Sequence, residues 1–403
     1  MANSKLSQAK NAKNDEFYTQ WADIEKEVQA YLDFDPDVFC GKTILCPCDD
    51  PYESNFFKYF ALHFQDYKLK KLIATCYVGS PIANTQLSLF TDESEENKTT
   101  RKPHKIEITE IPDLNKDGAV DLVDVKLLLA SDRNHLTRLQ GDGDFRSEEI
   151  KKLRDEADMI ITNPPFSLFR EFLEWIIEAK KKFLIIGNMN AITYKEVFPL
   201  IKENKIWLGV SIHSGDREFQ VPQSYPLNAA GYRVDENGNK YIRVKGVRWF
   251  TNLDHGRRHQ NLTMMTMQDN LKFSRHKEIK GKKSYDKYDN YDAIEVPFTD
   301  AIPSDYDNIM GVPISFLDKY CPDQFVIIGA TQRGCHDEVP DTRKYDDYWE
   351  AKPDGTPTGS SGGKTNENAN LLGNDGKKNY FINKKGRIIQ SAYQRIFIKR
   401  RDI

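Results

Sequence analysis

A short apolar run that ends in two consecutive prolines constrains this chain more than any other feature. Residues 159–166 read Met-Ile-Ile-Thr-Asn-Pro-Pro-Phe, which predicts a buried strand followed at once by a turn. Pro164 and Pro165 have a fixed φ and no backbone N–H, so the turn is stiff and cannot extend a sheet. We expect its carbonyls to lack neighbouring donors. With the Asn163 amide and the Phe166 ring beside them, they suit a planar substrate that carries an amino group. The turn contains no acid, base or nucleophile.

The sequence around this turn predicts an open α/β sheet. Gly141-Asp142-Gly143-Asp144-Phe145 precedes the strand, and a helical stretch at 167–181 and a second buried strand at 183–187 follow it. Strand, turn, helix and strand form one half of an open parallel sheet, in which ligands bind at the carboxyl ends of the strands. An ordinary exit from a strand into a loop is the alternative that the short motif, taken alone, permits.

The amino-terminal third predicts a β-α-β unit. Residues 15–31 carry apolar side chains at helical spacing, and 43–48 and 71–78 read as strands. Between these strands, 54–64 reads as an aromatic-rich helix that Ser54 can cap. The connection between the two strands is therefore predicted to be a right-handed crossover.

Two segments near the carboxyl end differ in composition. Residues 352–378 are rich in Gly, Ser, Asn and Lys, which predicts a low-complexity, disordered insertion. Residues 380–399 contain strand-like runs around a Lys-Lys-Gly turn, which predicts a terminal hairpin. At 403 residues the chain can hold two domains, or one domain with large insertions.

The chain offers one candidate calcium loop and no zinc motif. Oxygen-bearing side chains stand at positions 1, 3, 5, 9 and 12 of a loop with glycine at position 6, as in the calcium loops of dockerin and EF-hand proteins. These residues are Asp113, Asn115, Asp117, Asp121 and Asp124. Because a single loop binds weakly, a polar turn that joins two strands is the other interpretation. The six cysteines show no zinc spacing with histidine, so we interpret them as reduced, mostly buried thiols.

Charge is unevenly distributed along the chain. The formal net charge of −3 does not by itself indicate a nucleic-acid partner. Five basic clusters nevertheless follow residue 240, and several lie beside aromatic side chains; they are 243–248, 257–259, 277–283, 384–387 and 395–401. Each cluster alone is typical of a solvated surface, whereas together they indicate a half of the chain that binds a polyanion. Without a signal peptide or an apolar run near ~20 residues, we expect a cytoplasmic protein with no membrane partner.

Several strings resemble a known enzyme family. Asn163-Pro164-Pro165-Phe166 matches the [D/N]-P-P-[Y/F] motif of methyltransferases that use S-adenosylmethionine to methylate nitrogen. Asp15-Glu16-Phe17-Tyr18-Thr19 is similar to the segment before the first strand of adenine-specific DNA methyltransferases. Further strings, in the same order, resemble the EcoRI-type adenine-specific DNA methyltransferases; they lie at 48–51, 54–60, 141–147, 193–198, 205–210, 287–294 and 310–314. The resemblance lapses at 79–139 and 352–378.

The resemblance implies a reaction and a set of site residues. The reaction is methyl transfer from S-adenosylmethionine to N6 of an adenine that is flipped out of duplex DNA. The Asn163 side-chain oxygen and the Pro164 carbonyl would each accept one N6–H, within a turn that Pro165 completes. Phe166 would stack on the base. The implied cofactor-binding residues are Phe17, Tyr18, Thr19, Asp49, Asp50, Pro51, Asp142, Asp144 and Phe145.

The resemblance also implies an architecture and partners. We predict a flexible segment 1–14, a Rossmann-like catalytic α/β domain at 15–204 with an insertion at about 79–139, and a smaller DNA-recognition region at 205–403. Double-stranded DNA is the expected partner, and GAATTC is the site that the resemblance suggests. The protein is expected to act as a monomer, without a stable complex with any restriction endonuclease for the same site. The rival hypotheses are an N-methyltransferase acting on protein glutamine or RNA, and a non-catalytic DNA-binding relative.

Overall fold

The chain forms two compact units. The computed structural model describes residues 19–51, 54–77, 103–131, 136–213, 216–221, 231–331, 339–392 and 394–401. The first unit comprises residues 1–191 and 206–256, and the second comprises 192–205 and 257–403. The predicted boundary between residues 204 and 205 is therefore wrong for the stretch 206–256, because its strands complete the main sheet of the first unit.

The first unit is built on a large mixed sheet. Its strands are β1 (Thr43–Cys46), β2 (Lys71–Thr75), β3 (His104–Ile108), β4 (Leu136–Arg138), β5 (Met159–Thr162), β6 (Lys182–Asn188), β7 (Trp207–Leu208), β8 (Asp216–Val221), β9 (Arg233–Val234), β10 (Lys240–Lys245) and β11 (Val247–Thr251). Eight of them form one sheet in the order β4-β3-β2-β1-β5-β6-β11-β7, and the other three form a separate small sheet in the order β8-β10-β9.

The predicted parallel sheet is present at the centre of this larger sheet. Strands β2, β1, β5 and β6 are parallel neighbours, whereas β3, β4, β11 and β7 pair antiparallel. All residues of β1 and β5 are buried, as their apolar sequences predict for central parallel strands. Within the expected insertion at about 79–139, the structure describes residues 103–131 and 136–139. These residues include both β3 and β4.

Short amphipathic helices accompany the sheet. They are α1 (Trp21–Leu32), α2 (Asn55–Leu62), α3 (Leu122–Ser131), α4 (Glu148–Glu156) and α5 (Phe169–Glu178) in the first unit, and α6 (Phe198–Lys202) and α7 (Met267–Phe273) in the second. Ser54 caps α2 as predicted, because its hydroxyl accepts from the Phe56 and Phe57 amides. None of the described helices has the length and apolar character required to cross a bilayer.

A buried carboxylate holds the stretch after β7 to the first unit. Glu27 on α1 is fully buried, and its carboxylate accepts from the Val210 amide at 2.8 Å and the Ser211 amide at 2.6 Å. The Tyr31 hydroxyl donates to it at 2.8 Å. Burial raises the pKa of Glu27, and these hydrogen bonds partly offset that rise. Val210 and Glu27 are 183 residues apart in sequence. Sequence composition does not reveal such a distant contact, and the boundary between residues 204 and 205 was therefore predicted wrongly.

Gly187 permits close packing between β6 and the start of α5. A Cβ at this position would overlap the ring of Phe169, which is buried and packs against Phe250 at 4.9 Å between ring centroids. We therefore expect Gly187→Ala to lower the free energy of unfolding by about 1–3 kcal/mol, since a packed ring must move. Denaturant unfolding measures this change. Gly141→Ala is the control, because nothing lies within 4 Å of its Cβ, and an equal loss in both variants would contradict the packing explanation.

The small sheet lies beside the carboxyl end of β6. Its β10 continues through Gly246 into β11, and the Asn188 side chain at the end of β6 donates to the Lys245 carbonyl at 2.9 Å. The buried side chains of Phe219, Val221 and Ile242 join the main core. The other face of this small sheet carries polar side chains that are exposed or partly exposed, among them Glu218, Gln220 and Arg243.

The second unit contains two further sheets. Its strands are β12 (Ile294–Glu295), β13 (Met310–Pro313), β14 (Phe325–Ala330), β15 (Tyr348–Ala351), β16 (Pro357–Ser361), β17 (Asn370–Leu372), β18 (Tyr380–Asn383), β19 (Ile388–Ser391) and β20 (Arg395–Arg400). One sheet has the order β12-β13-β20-β14, and the other has the order β16-β15-β18-β19-β17.

Two predictions for this region need correction. The segment 352–378 is not a disordered insertion, because it contains β16 and β17. Side-chain amides supply the order that apolar residues usually provide: the buried Asn370 amide donates to the Thr365 carbonyl at 2.7 Å. The hairpin at 380–399 is confirmed for β18 and β19, but β20 leaves it and pairs with β13 and β14 in the other sheet.

Candidate active site

The Asn-Pro-Pro-Phe turn lies at the carboxyl end of the central strand β5. Asn163, Pro164 and Pro165 are buried, and Phe166 is partly exposed. The Pro165 carbonyl accepts from the Leu168 amide at 3.0 Å, which begins the short 3-10 helix that leads into α5. The expectation that the turn's carbonyls lack donors is therefore wrong for Pro165. The local order of strand, turn and helix is confirmed.

A buried acid at the end of β1 is joined to this turn. The Asp49 carboxylate accepts from the Ser54 hydroxyl at 2.5 Å and from the hydroxyl of Thr162, the residue before Asn163. Burial raises the pKa of Asp49 to about 6, and the two hydroxyl donors oppose that rise. Because β1 and β5 are adjacent parallel strands, this carboxylate ties the two strand ends and the start of α2 together.

The hydrogen bond from the Thr162 hydroxyl to the Asp49 carboxylate was not predicted from the sequence. We expect Thr162→Val to lower the free energy of unfolding by about 1.5–3 kcal/mol, since it removes a hydrogen bond to a buried charged group. Chemical denaturation measures the loss. The control is Thr137→Val on the exposed surface of β4, where a change within about 0.5 kcal/mol is expected. A loss at Thr162 no greater than at Thr137 would show that the Asp49 contact contributes nothing.

The segment before α1 reaches the same place. The Asn55 side chain, at the first position of α2, donates to the Thr19 carbonyl at 2.7 Å, and Thr19 is buried. Asn55 is the residue after Ser54, so Thr19 lies close to Ser54 and to Asp49, the partner of Ser54. The other two predicted residues of this segment, Phe17 and Tyr18, lie outside the described residues.

Asp50 and Pro51 follow Asp49 and are also buried. The Asp50 carbonyl accepts from the Ser54 amide at 2.7 Å, so the turn after β1 folds directly into α2. The Asp50 carboxylate lies near Cys76 and His104, at the ends of β2 and β3. No glycine-rich turn follows β1; a short loop with two acids occupies that place.

The loop at 141–145 lies at the carboxyl end of β2. Gly143 has a φ of +80° and packs against the Cys76 carbonyl so closely that a Cβ would overlap it. The Asp144 carboxylate pairs with Arg146 at 2.6 Å, and Phe145 is buried against the aromatic rings of α5. Only Asp142 of the three predicted residues is exposed.

The candidate calcium loop is a turn that satisfies its own backbone. The Asp124 carboxylate accepts from the Leu114, Asn115 and Asp121 amides at 2.7–3.1 Å, and Asp113 accepts from two further amides of the loop. These bonds hold the pKa of Asp124 below its usual value. The last part of the loop forms the start of α3. No three aspartates of this loop converge within 4.8 Å among the described residues, and calcium binding stays one of the two interpretations of the loop.

The site residues thus gather along one edge of the sheet. Asn163 to Phe166 follow β5, Asp49 to Pro51 follow β1, and the loop at 141–145 packs on the residue after β2. Neighbouring strands lie about 4.8 Å apart, so these turns are adjacent at the carboxyl edge where α/β sheets bind ligands. A family model described as "Adenine-specific methyltransferase EcoRI" matches residues 5–401. The chain belongs to this family.

Individual relatives support the same family. This EcoRI-family methyltransferase is 45% identical over 326 residues to the Type II methyltransferase M.EcoRI of Escherichia coli, covering 81% of this chain and 89% of the relative. It is 33% identical to M.MpnI of Mycoplasma pneumoniae, covering 80% and 84%, and 33% identical to M.MgeORF184P of Mycoplasma genitalium, covering 80% and 85%. No solved structure matches it. The resemblance recognised in the sequence is confirmed, and the protein is an adenine-specific methyltransferase with a mixed α/β fold.

Proposed function

We propose that this protein transfers a methyl group from S-adenosylmethionine to N6 of a specific adenine in duplex DNA, at the Asn163–Phe166 turn. The observation that carries the proposal is the hydrogen bond between Thr162 and Asp49, because it fixes an acceptor-rich turn beside a buried acid. The turn suits an exocyclic amine, and the acid suits a cationic methyl donor. Both lie at the carboxyl edge of the parallel strands.

The chemistry of adenine N6 explains the residue types in the turn. The N6 lone pair is delocalised into the ring, so the amine must pyramidalise before it can attack. The Asn163 oxygen and the Pro164 carbonyl accept the two N6–H groups, align the nitrogen and stabilise the positive charge that develops on it. The partly exposed ring of Phe166 stacks on the base. No covalent intermediate is needed, since S-adenosylmethionine brings an activated methyl group when it is bound.

The residues present fit this cofactor. Asp49 places a carboxylate of unusually low exposure, 6%, at the edge where the cationic methionine part is expected. Thr19, held to Asn55, lies at the same edge of the sheet. Of the loop at 141–145, we propose that Asp142 contacts a polar group of the cofactor, because the Asp144 carboxylate already pairs with Arg146.

We also propose where the protein contacts DNA. The exposed face of the β8–β10 ribbon carries Arg243, Arg233 and Tyr241, with the Arg233 guanidinium 4.1 Å from the centre of the Tyr241 ring. Glu218 accepts from Arg233 at 3.0 Å and orients it. A two-stranded ribbon such as the β9–β10 pair of this small sheet fits the major groove, where arginine reads guanine and phosphates bind cations. The second unit supplies further basic residues for target recognition, and the protein acts as a monomer.

One assay tests the proposed function. Purified protein is incubated with labelled S-adenosylmethionine and a duplex that contains GAATTC, a duplex in which one central base pair is exchanged, and an RNA of the same sequence. We expect label in a DNA duplex, recovered as N6-methyladenine after digestion to nucleosides. Sequencing of modified bases in host DNA then gives the recognition site. Label in RNA or protein alone, or in another base, would overturn the proposal.

A further inference from the structure

Three buried side chains of different chemistry meet at the ends of β1, β2 and β3. Asp50, Cys76 and His104 are 2%, 2% and 4% exposed, and one ligand atom of each lies within 4.8 Å of the other two. Among the described residues this is the only group of three or more His, Cys, Asp or Glu side chains that converges so closely. The Asn163 turn does not use Cys76 or His104.

The backbone brings these side chains together before any ligand is present. Cys76 and His104 continue the antiparallel pairing of β2 and β3, and the Cys76 amide donates to the His104 carbonyl at 3.2 Å. Side chains at such opposite positions point to the same face, with Cβ atoms about 5 Å apart. The Asp49 amide donates to the Thr75 carbonyl at 3.1 Å, which brings the following Asp50 beside Cys76.

The contact between Cys76 and His104 differs from a simple thiol hydrogen bond. The sulphur lies 3.2 Å from Nδ1 and 3.7 Å from Nε2 of the imidazole, so it contacts the ring away from the lone-pair direction of either nitrogen. A thiol aimed along one nitrogen's lone pair would lie well away from the other nitrogen. Tetrahedral zinc holds a sulphur and a nitrogen ligand about 3.6 Å apart, with the nitrogen lone pair aimed at the ion, so zinc binding requires the His104 imidazole to turn until one lone pair points at the ion.

We propose that Asp50, Cys76 and His104 form a zinc site. Thiolate, imidazole and carboxylate are the ligand types that zinc takes in proteins, whereas calcium and magnesium prefer oxygen alone. The charges also balance: Zn²⁺ is neutralised by one thiolate and one carboxylate, so burial leaves no net charge in the site. On binding, the Cys76 thiol forms a bond to the metal and releases its proton to solvent.

This site gives each of the two adjacent acids its own role. The Asp50 carboxylate binds the metal, while the Asp49 carboxylate takes hydroxyl donors from α2 and β5. The zinc ion cross-links the ends of β1, β2 and β3, next to the cofactor edge of the sheet. Sequence spacing cannot reveal such a site, because Cys76 and His104 are 28 residues apart and come from separate strands.

Metal content and cobalt spectroscopy test the site. The full-length protein is prepared in zinc-containing medium, freed of loose metal by gel filtration and analysed by mass spectrometry for metals. We expect about one zinc per chain, and at least a tenfold loss in Cys76→Ser and His104→Gln. Matched controls are Cys40→Ser, an exposed cysteine, and His63→Gln, a histidine outside the cluster; both are expected to retain the metal.

Cobalt keeps the proposal testable even if the variants fail to fold. The unsubstituted protein, stripped of metal by a chelator and titrated with Co²⁺, is expected to show a thiolate-to-cobalt charge-transfer band that saturates at one equivalent and disappears on addition of zinc. Wild-type protein with no more zinc than Cys76→Ser, or a Co²⁺ titration without that band, would overturn the proposal and leave a thiol–imidazole contact only.

Discussion

Asn163→Ala is expected to lower kcat for methyl transfer about 100- to 1000-fold, which corresponds to about 3–4 kcal/mol of lost transition-state stabilisation. In the proposed mechanism the Asn163 oxygen accepts an N6–H most strongly as positive charge develops on the nitrogen. Initial rates with labelled S-adenosylmethionine and a saturating DNA duplex measure the change. The affinity for the cofactor, measured by calorimetry, is expected to stay within about twofold, because the proposal assigns the cofactor contacts to other residues.

A conservative variant separates this role from a structural one. Asn163→Asp keeps an acceptor oxygen on a side chain of the same length. The motif that the turn resembles contains either Asp or Asn at this position. We therefore expect Asn163→Asp to retain at least about tenfold more activity than Asn163→Ala, with similar unfolding midpoints for both. Equal activity in the two variants, or an alanine variant within about tenfold of wild type, would contradict the proposed acceptor role.

The Asn163–Phe166 turn was predictable because its signals are local. The apolar run 159–162, the two prolines and the helical spacing after Phe166 lie within twenty residues of one another in the sequence. Strand, turn and helix follow from these signals alone. The packing of the turn against Asp49 was predictable only in outline, since adjacent parallel strands place their ends together. The hydroxyl of Thr162 that makes the link left one sequence signal, a polar residue at the end of an apolar strand.

The edges of the main sheet were not predictable in the same way. β3 and β4 lie in the region predicted as an insertion; β3 pairs with β2, and β4 pairs with β3. β11 pairs antiparallel with β6, more than 50 residues earlier in sequence. Such pairings depend on tertiary neighbours rather than on local propensity, which is weak for short strands. The stretch 206–256 was therefore assigned to the wrong unit.

In the second unit, amino-acid composition alone led to a wrong prediction of disorder. Residues 352–378 contain few apolar side chains, and this normally indicates disorder. Here the order comes from specific hydrogen bonds. The Asn366 amide donates to the Tyr345 carbonyl at 2.8 Å, while its oxygen accepts from the Tyr345 amide at 2.9 Å. The Thr365 hydroxyl is buried and donates to the Gly362 carbonyl. A sequence records that such side chains exist, but their partners are set by the fold.

Glu295→Ala is expected to cause the largest loss of stability, about 3–5 kcal/mol in the free energy of unfolding. The Glu295 carboxylate on β12 receives the Arg395 guanidinium of β20 in three hydrogen bonds of 2.6–3.1 Å, and both residues are buried. The Tyr288 hydroxyl also donates to Glu295. Burial holds the pKa of Tyr288 well above its usual value, so this hydroxyl keeps its proton. Truncation of Glu295 removes the only carboxylate of this pair and leaves a buried cation.

Gly311 allows the Glu295–Arg395 pair to form across the strand that separates its two members. It lies on β13, between β12 and β20, and pairs with Glu295 on one side and Phe397 on the other. A Cβ at Gly311 would overlap the Tyr288 hydroxyl, so the absence of a side chain lets the tyrosine reach the carboxylate. The pair therefore links β12 to β20 across β13.

A surface ion pair on the same strand provides the matched control for Glu295→Ala. Arg400 contacts Asp307 at 3.3 Å, and the Asp307 side chain is 77% exposed. We expect Asp307→Ala to change the free energy of unfolding by less than about 1 kcal/mol, because solvent and salt screen an exposed pair. Urea denaturation of both variants, followed by tryptophan fluorescence, measures the two losses. If Glu295→Ala costs no more than Asp307→Ala, then the buried pair does not stabilise this sheet, and apolar contacts alone hold β20 in place.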